Sequence, residues 1–150
     1  MPEHPSDRYV ISTDPDRLDI AYIHAYLSQQ SYWAANRPYE VVERSIQNSL
    51  CFGLYDTTTG QQVGFARMVT DHATFGYLAD VFIDPSQQGN GLGKMLIEHI
   101  VNYPEFASFR RLLLATRDAD TLYAQFGFEY ITDNSPYYLM EIVHPQQVGS

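Results

Sequence analysis

The sequence predicts an α/β fold of the mixed α+β type, in which helices cover both faces of a central mixed, mostly antiparallel sheet. Three observations support this class. Apolar runs of strand length alternate with stretches whose apolar residues recur at helical spacing. Residues 56–60 have a turn composition and separate two strand-like runs, which indicates a hairpin. The chain has 150 residues, 45% of them hydrophobic, so we expect one domain spanning residues 1–150.

The first half is predicted to contain a strand, two helices and the hairpin. Residues 9–11 form a short strand. Asp14 then caps a helix with Pro15 at its first position, and the helix runs to about residue 28. Residues 31–38 interrupt it, and Pro38 starts a second helix through Ile46. The hairpin strands cover residues 50–55 and 62–69.

The second half completes the order β-α-α-β-β-β-α-β-α-β. Residues 77–83 form an apolar strand and residues 94–101 a helix. Residues 112–115 are expected to form a fully buried strand. Asp118 is predicted to cap a short helix that ends at Phe126, with Gly127 following it, and residues 137–143 are predicted to form a last strand.

The charge pattern limits the classes of binding partner that we expect. The formal net charge is −9 and no block of Lys or Arg occurs, which argues against nucleic acid as a partner. An acidic surface weakly favours an amine-bearing substrate, although solubility alone explains it as well. The five histidines show no metal-ligand spacing, so no metal is expected.

The location is expected to be cytoplasmic. Cys51 is the single cysteine, which excludes an internal disulfide, and its apolar surroundings predict a buried thiol that acts as a small hydrophobe. No apolar run approaches the ~20 residues of a membrane span, and the first eight residues are polar, unlike a signal peptide.

A glycine-rich loop between a strand and a helix is the most informative motif. It consists of Gln88, Gly89, Asn90, Gly91, Leu92, Gly93 and Lys94. Helix-start amides lack intrahelical partners and glycines allow close approach, so this loop is suited to bind a diphosphate. A P-loop would need Gly at position 88 and Ser or Thr at position 95, where Gln and Met stand. The Rossmann glycine spacing fails as well.

The loop resembles the acetyl-CoA pyrophosphate loop of the GCN5-related N-acetyltransferase (GNAT) family, whose pattern is Gln/Arg-x-x-Gly-x-Gly/Ala. The predicted order of elements matches that family across nearly the whole chain. Residues 122–128, Leu-Tyr-Ala-Gln-Phe-Gly-Phe, resemble its second signature. The resemblance implies that the fourth and fifth strands splay apart. The pantetheine arm of acetyl-CoA would then pair with the backbone of Val81, Phe82 and Ile83.

The resemblance also implies which residue would act as a general acid. Tyr123 matches the signature tyrosine, which would protonate the departing CoA thiolate. A phenol of pKa ~10 can give a proton to a thiol of pKa ~8.5 at modest cost. The alternative is a helix tyrosine that only packs its ring.

Two carboxylates are candidates to deprotonate the incoming amine. Asp80 lies in an apolar strand and resembles the family's acidic residue there. Alternation predicts that it points to the face opposite Ala79 and Val81. It could equally be a structural carboxylate bonded to a neighbouring loop or arginine. Asp71 is the weaker candidate and could instead bind a substrate ammonium. Some family enzymes need no dedicated base.

The acceptor is expected to bind between the first two helices and the hairpin. Tyr32 and Trp33 could stack on it, and Arg37 would suit a carboxylate, although Trp33 could equally be a core residue. Arg67 and Arg117 are candidates for ion pairs with the acidic residues.

The predicted function is transfer of an acetyl group from acetyl-CoA to a small primary amine by direct attack in a ternary complex. Two alternatives stay open, namely acetylation of protein or peptide amines and a non-catalytic acyl-CoA sensor. A homodimer is compatible with the sequence, and no membrane partner is expected.

Overall fold

The computed structural model describes residues 5–132 and 136–144, and a five-stranded sheet organises them. The strands are listed in chain order: β1 (Tyr9–Ser12), β2 (Leu50–Asp56), β3 (Gln62–Thr70), β4 (Phe75–Ile83) and β5 (Arg111–Leu114). Their spatial order is the same as their chain order. The first four strands are antiparallel to their neighbours, and β5 is parallel to β4. The sheet is therefore mixed and mostly antiparallel, as predicted.

Five α-helices accompany the sheet in the described residues: α1 (Pro5–Arg8), α2 (Ile20–Gln30), α3 (Tyr39–Gln47), α4 (Leu92–Val101) and α5 (Asp120–Ala124). Their amphipathic faces create two apolar cores on opposite sides of the sheet. Ile23, Leu27 and Val42 of α2 and α3 pack with Phe65 on one face. The α4 residues Leu96, Ile97 and Ile100 pack with Phe52, Met68 and Leu78 on the other. Helices on both faces are thus confirmed.

β4 contains a bulge that the sequence did not reveal. Phe65 pairs with Phe82, but Arg67 pairs with Ala79, so one extra residue is accommodated on β4 at this point. Asp80 has a φ of +56°, which is rare for a residue other than glycine. The bulge shifts the alternation of side chains. Leu78 packs in the α4 core, whereas Phe82, four residues later, packs in the α2–α3 core.

The start of α2 differs from the prediction. Asp14 caps only a 3-10 turn at Pro15–Arg17, and Leu18 then returns to extended backbone. The helix begins at Ile20, where the Asp19 carboxylate accepts a hydrogen bond from the amide of Tyr22. Two Asp caps lie five residues apart, and the apolar spacing from Ile20 onward fits the second one.

Three predictions near the C-terminal end are wrong. Asp118 does not cap α5. The Thr116 hydroxyl instead accepts from the Ala119 amide, and the helix is short. β5 is not fully buried, because its leucines are only half-buried beside an edge that no described strand covers. Residues 137–143 form no strand in the described structure, and their apolar side chains are largely exposed. Their strand-type composition alone does not form a strand here, although one edge of β5 has no described strand beside it.

Candidate active site

The glycine loop adopts the geometry of an anion-binding helix start. Gly91 is the N-terminal residue flanking α4 with φ +75°, and Gly89 has φ +90°. No side chain caps α4, so the first amides of this ten-residue helix are left without acceptors in the described structure. A Cβ at Gly89 or Gly91 would meet nothing within 4 Å, which shows that the loop faces open space.

β4 and β5 separate directly beside this loop. Their pairing covers only Phe75–Leu78 of β4 and ends at Leu78 and Leu114. The remaining residues of β4 therefore have no described strand on that edge, and their polar backbone groups can pair with a ligand. The splay that the resemblance implied is present.

A cleft of about 1090 Å³ occupies the gap. Its walls are the second half of β4, the glycine loop, the end of β5, the start of α5 and the connection between α2 and α3. Tyr123, Asp80, Tyr32, Trp33 and Arg37 all line it, together with loop residues from Gln88 to Lys94 except Asn90. The structure thus brings together residues that the sequence placed in four separate segments.

Tyr123 lies where α5 meets the cleft. It is 9% exposed, and its ring contacts Phe128 edge-on at 5.8 Å between centroids. Burial, with a smaller contribution from Tyr32, raises the pKa of Tyr123 to about 12. The phenol therefore stays protonated at neutral pH and is available as a hydrogen-bond donor.

Asp80 is held by three donors on the α2–α3 side of the sheet. Its Oδ2 accepts from Arg37 Nη1 at 3.0 Å and from Arg67 Nε at 2.9 Å. Its Oδ1 accepts from Trp33 Nε1 at 3.0 Å. The side chain of Asp80 is only 2% exposed. A buried charge requires such partners. The bulge that places Asp80 here and the arginines that pair with it therefore depend on each other.

The backbone at Arg37 is also held by a contact of its own. Asn36 precedes it with φ +62°, a conformation that Asn tolerates well. His24 of α2 contacts the carbonyl oxygen of Arg37 through Nε2 at 3.0 Å, so this nitrogen carries the hydrogen. The loop that carries Arg37 is therefore tied to α2 as well as to β4.

Tyr32 connects the two sides of the cleft mouth. Its hydroxyl accepts a hydrogen bond from the Arg117 amide at 3.2 Å, and the Arg117 guanidinium lies 3.7 Å from its ring centroid. The ring of Trp33 meets that of Tyr32 edge-on at 5.1 Å. The predicted ion pair of Arg67 is confirmed. Arg117 makes no ion pair with any described carboxylate and stacks on an aromatic ring instead.

The structure does not bring Asp71 to the cleft. Asp71 lies in the loop between β3 and β4, where its carboxylate accepts from the Ala73, Thr74 and Phe75 amides. These hydrogen bonds, with that of the Thr74 hydroxyl as the largest cause, hold the pKa of Asp71 well below its usual range. Its geometry is that of a turn-forming carboxylate.

A family model described as an acetyltransferase (GNAT) domain matches residues 47–130. The chain belongs to the GNAT family. Proteins of this family use acetyl-CoA as co-substrate, and this chain is an acyl-CoA-dependent N-acetyltransferase. The matched range contains β2 to α5, and therefore the loop, the splayed strands and Tyr123.

Several GNAT relatives cover most of the chain. It is 34% identical over 138 residues to a Gibberella zeae protein assigned as an acetyltransferase, with 78% of this chain and 76% of that protein covered. A crystal structure of a GNAT protein from Xanthomonas campestris pv. campestris is 43% identical, with a TM-score of 0.84 and coverage of 97% and 96%. The [ribosomal protein bS18]-alanine N-acetyltransferase of Escherichia coli K12 is 33% identical over 88 residues, which cover 55% of this chain and 57% of that enzyme.

Sequence reasoning missed part of this GNAT cleft. Tyr26 and Gln30 of α2 and Tyr77 of β4 also line it. The Tyr26 ring stacks on Phe82 at 3.9 Å, nearly parallel to it. Tyr26 and Gln30 lie four residues apart on one face of α2, a spacing that could have indicated their common orientation.

The described residues offer neither a metal site nor a membrane-spanning helix. They contain no group of three His, Cys, Asp or Glu side chains placed to hold a metal ion. Within residues 5–132 and 136–144, no helix has the length and apolar character that crossing a bilayer requires.

Proposed function

We propose that this GNAT protein transfers the acetyl group of acetyl-CoA to the primary amine of a small molecule, by direct attack within a ternary complex. One observation carries the proposal. The uncapped start of α4, the unpaired edge of β4 and the phenol of Tyr123 all border one cleft of about 1090 Å³. The reaction joins the amine nitrogen to the acetyl carbon and releases CoA as a thiol, so the amine loses a proton and the thiolate gains one.

The glycine loop supports a pyrophosphate-binding role. Its backbone amides at the positive end of the α4 dipole favour an anion. Lys94 adds a charge at the same end of the cleft. The free edge of β4 at Val81, Phe82 and Ile83 offers backbone groups that an amide-containing arm can pair with.

Tyr123 is the proposed proton donor to the sulfur. A phenol whose pKa is raised to about 12 is a weak acid, and CoA is a thiol of ordinary pKa ~8.5. Full transfer before the C–S bond breaks is therefore unfavourable. We infer that Tyr123 donates a hydrogen bond to the sulfur as negative charge develops there and transfers the proton late.

Asp80 has a bonding pattern that favours a positioning role. The alternative prediction, that Asp80 is the base, is tested by the pH dependence of kcat/KM. If Asp80 accepted a proton, it would lose the negative charge that balances Arg37 and Arg67. An amine that binds in its neutral form, or a water that Asp80 helps to order, would leave this charge in place.

Acetylation of a protein or peptide amine is the second candidate. It is supported by the likeness to the enzyme that acetylates an alanine of ribosomal protein bS18. The shared segment covers 55% of this chain and 57% of that enzyme. A sensor that binds acyl-CoA without turnover is the third candidate. The buried Tyr123 phenol at the cleft argues against it.

One experiment tests these alternatives together. Calorimetry measures binding of acetyl-CoA and CoA, and a thiol-release assay then screens amino acids, polyamines, aminoglycosides, arylamines and peptides with free N-termini. We expect micromolar acetyl-CoA binding and turnover with a small amine. Turnover confined to peptides supports the second candidate, binding without turnover supports the sensor, and no binding of either nucleotide overturns the proposal.

A further inference from the structure

The cleft has a different charge balance from the rest of the molecule. The chain carries nine Lys and Arg residues and a formal net charge of −9. Four of the nine cations line this one cleft, namely Arg37, Arg67, Lys94 and Arg117. Only two carboxylates, those of Asp80 and Asp118, line it with them. The cleft is therefore cationic in an acidic protein, and a polyamine-like acceptor would meet repulsion there.

Most of this positive charge lies away from the glycine loop. Arg37 and Arg67 share a single carboxylate, so the cluster of Arg37, Arg67 and Asp80 keeps a net charge of +1. Arg67 is 14% exposed and also donates to the Ser49 hydroxyl, which turns it inward. The side chain of Arg37 is 23% exposed. Arg37 is thus the member of the cluster that a ligand can reach.

The guanidinium of Arg37 can donate further hydrogen bonds to a ligand. Within the described residues, its guanidinium makes one hydrogen bond, from Nη1 to Asp80. A guanidinium has five N–H groups in a planar fork, and this fork matches the two oxygens of a carboxylate. Asp80 holds one end of this fork through Nη1, and Trp33 and Tyr32 line the same cleft as Arg37.

Arg117 adds a second cation at the mouth. It is exposed and stacked on Tyr32, and no described carboxylate is within ion-pair distance. Asp118 follows it and is exposed to solvent, so screening weakens its effect on the cleft. The two guanidiniums therefore flank the aromatic wall formed by Tyr32 and Trp33.

We propose that the acceptor is an amine that also bears a carboxylate, and that Arg37 binds this carboxylate while Arg117 contributes attraction at the cleft mouth. Asp80 is then a positioning residue that orients Arg37. The inference rests on the proposed function, because it names the class of amine that the same cleft accepts. Trp33 and Tyr32 also line the cleft, and their rings would face the remainder of an amino-acid-like molecule.

The test compares amines that differ only in the acidic group. β-Alanine is measured against ethylamine and against 2-aminoethylphosphonate, and phenylalanine against phenethylamine. We expect kcat/KM to be at least about tenfold higher for the carboxylated member of each pair, which corresponds to one charge-assisted hydrogen bond. An equal or higher kcat/KM for the amine that lacks the acidic group overturns the inference, and a preference for the phosphonate overturns the assignment to a carboxylate.

Variants then locate the contact. Arg37→Gln should abolish most of the preference, and Arg37→Lys, which keeps the charge opposite Asp80 but lacks the fork, should retain part of it. Arg117→Gln, at an exposed position, should reduce the preference without affecting folding. Arg44→Gln is the matched control, because Arg44 is an exposed residue of α3 outside the cleft. A preference that survives both Arg37→Gln and Arg117→Gln overturns the inference.

A binding measurement separates this inference from the proposed activity. Calorimetry on the CoA-saturated protein compares N-acetyl-β-alanine with N-ethylacetamide. Tighter binding of the carboxylate that Arg37→Gln removes supports the inference even if no acetyl transfer is detected, in which case the proposed function fails alone. Equal or undetectable binding of both compounds overturns the inference, whatever the turnover of other amines.

Discussion

The indole Nε1 of Trp33 donates a hydrogen bond of 3.0 Å to Oδ1 of Asp80, although the two residues are 47 positions apart in the chain. This contact joins the connection between α2 and α3 to the bulge of β4. A residue other than glycine in the left-handed region costs about 1–2 kcal/mol. The hydrogen bonds from Trp33, Arg37 and Arg67 offset that cost, so the bulge and the acceptor wall depend on each other.

Removal of the Asp80 carboxylate should destabilise the fold. Asp80→Ala leaves Arg37 and Arg67 without their counter-charge, and we expect the free energy of unfolding to fall by about 3 kcal/mol. Urea denaturation measures it. Asp118→Asn is the control, since that carboxylate is exposed at the cleft, and it should change the value by less than about 0.5 kcal/mol. Equal effects would show that the Asp80 network contributes little.

Asp80→Asn separates positioning from base catalysis. The amide keeps the shape of the side chain but cannot take a proton at neutral pH. If Asp80 acts by positioning, the acidic limb of the kcat/KM profile should persist in Asp80→Asn, with KM for the acceptor raised because Arg37 is less well oriented. Loss of the acidic limb together with a fall in kcat would identify Asp80 as the base.

Tyr123→Phe should lower kcat roughly 10²-fold or more, with little change in acetyl-CoA affinity. The substitution removes one hydroxyl and keeps the ring against Phe128, so the fold should be retained. Because burial raises the pKa of Tyr123 to about 12, its deprotonation should produce no basic limb below about pH 10. Tyr103→Phe, which alters a ring packed on Phe52 outside the cleft, is the control. An unchanged kcat when chemistry limits the rate would leave Tyr123 as a packing residue.

Gly91→Val and Gly60→Val form a matched pair for the loop. Both glycines have nearly the same φ, +75° and +74°, and both face open space. Each valine should therefore cost about 1–2 kcal/mol of stability through backbone strain. Only Gly91 adjoins the proposed pyrophosphate site, so calorimetry should show CoA affinity falling at least about tenfold in that variant alone. Equal CoA affinity in the two variants would remove the loop from the binding site.

The contrast between this loop and the Asp80 cluster explains what the sequence could predict. A glycine loop is local, and its spacing identified the strand, the turn and α4 without tertiary information. The helical periodicity likewise located α3 and most of α2. The cluster is non-local. Arg37 and Trp33 meet Asp80 from 43 and 47 residues away, and no glycine or proline marks the bulge, so no short pattern reports it. The strand predicted for residues 137–143 is absent for a different reason, because strand propensity depends on the packing that surrounds a segment and does not by itself cause it to pair.

Cys51 should be unreactive in the folded protein. Burial raises the pKa of its thiol to about 12. The charge of the nearby Arg67 lowers this pKa, but it offsets only part of the effect of burial. At pH 8 the thiolate fraction is then very small, and the side chain is only 5% exposed. Reaction with an aromatic disulfide reagent should be at least about 10²-fold slower in buffer than in urea, where one equivalent should react. Similar rates in both solutions would contradict the buried location.

The contact between Arg8 and Asp56 should make stability depend on pH in acid. Asp56 is 1% exposed at the end of β2, and its Oδ2 lies 2.9 Å from Arg8 Nη2. Hydrogen bonds from Arg8 and then Thr58 lower the pKa of Asp56 to about 2, whereas an unfolded Asp has a pKa of ~3.9. The folded state therefore binds the proton less readily than the unfolded state. The contribution of Asp56 is fully present above about pH 4 and is lost as the pH falls towards 2.

A double-mutant cycle measures this contribution directly. Arg8→Gln, Asp56→Asn and the double variant are unfolded in urea at about pH 7, 4 and 2. The coupling free energy between the two positions should favour the folded wild type at pH 7 and remain nearly unchanged at pH 4. It should be mostly lost near pH 2, where Asp56 is about half protonated in the folded state and almost fully protonated in the unfolded state. A coupling that stays constant down to pH 2 would contradict the lowered pKa. A coupling absent at pH 7 would show that Thr58 and the surrounding turn, and not Arg8, hold the carboxylate in place.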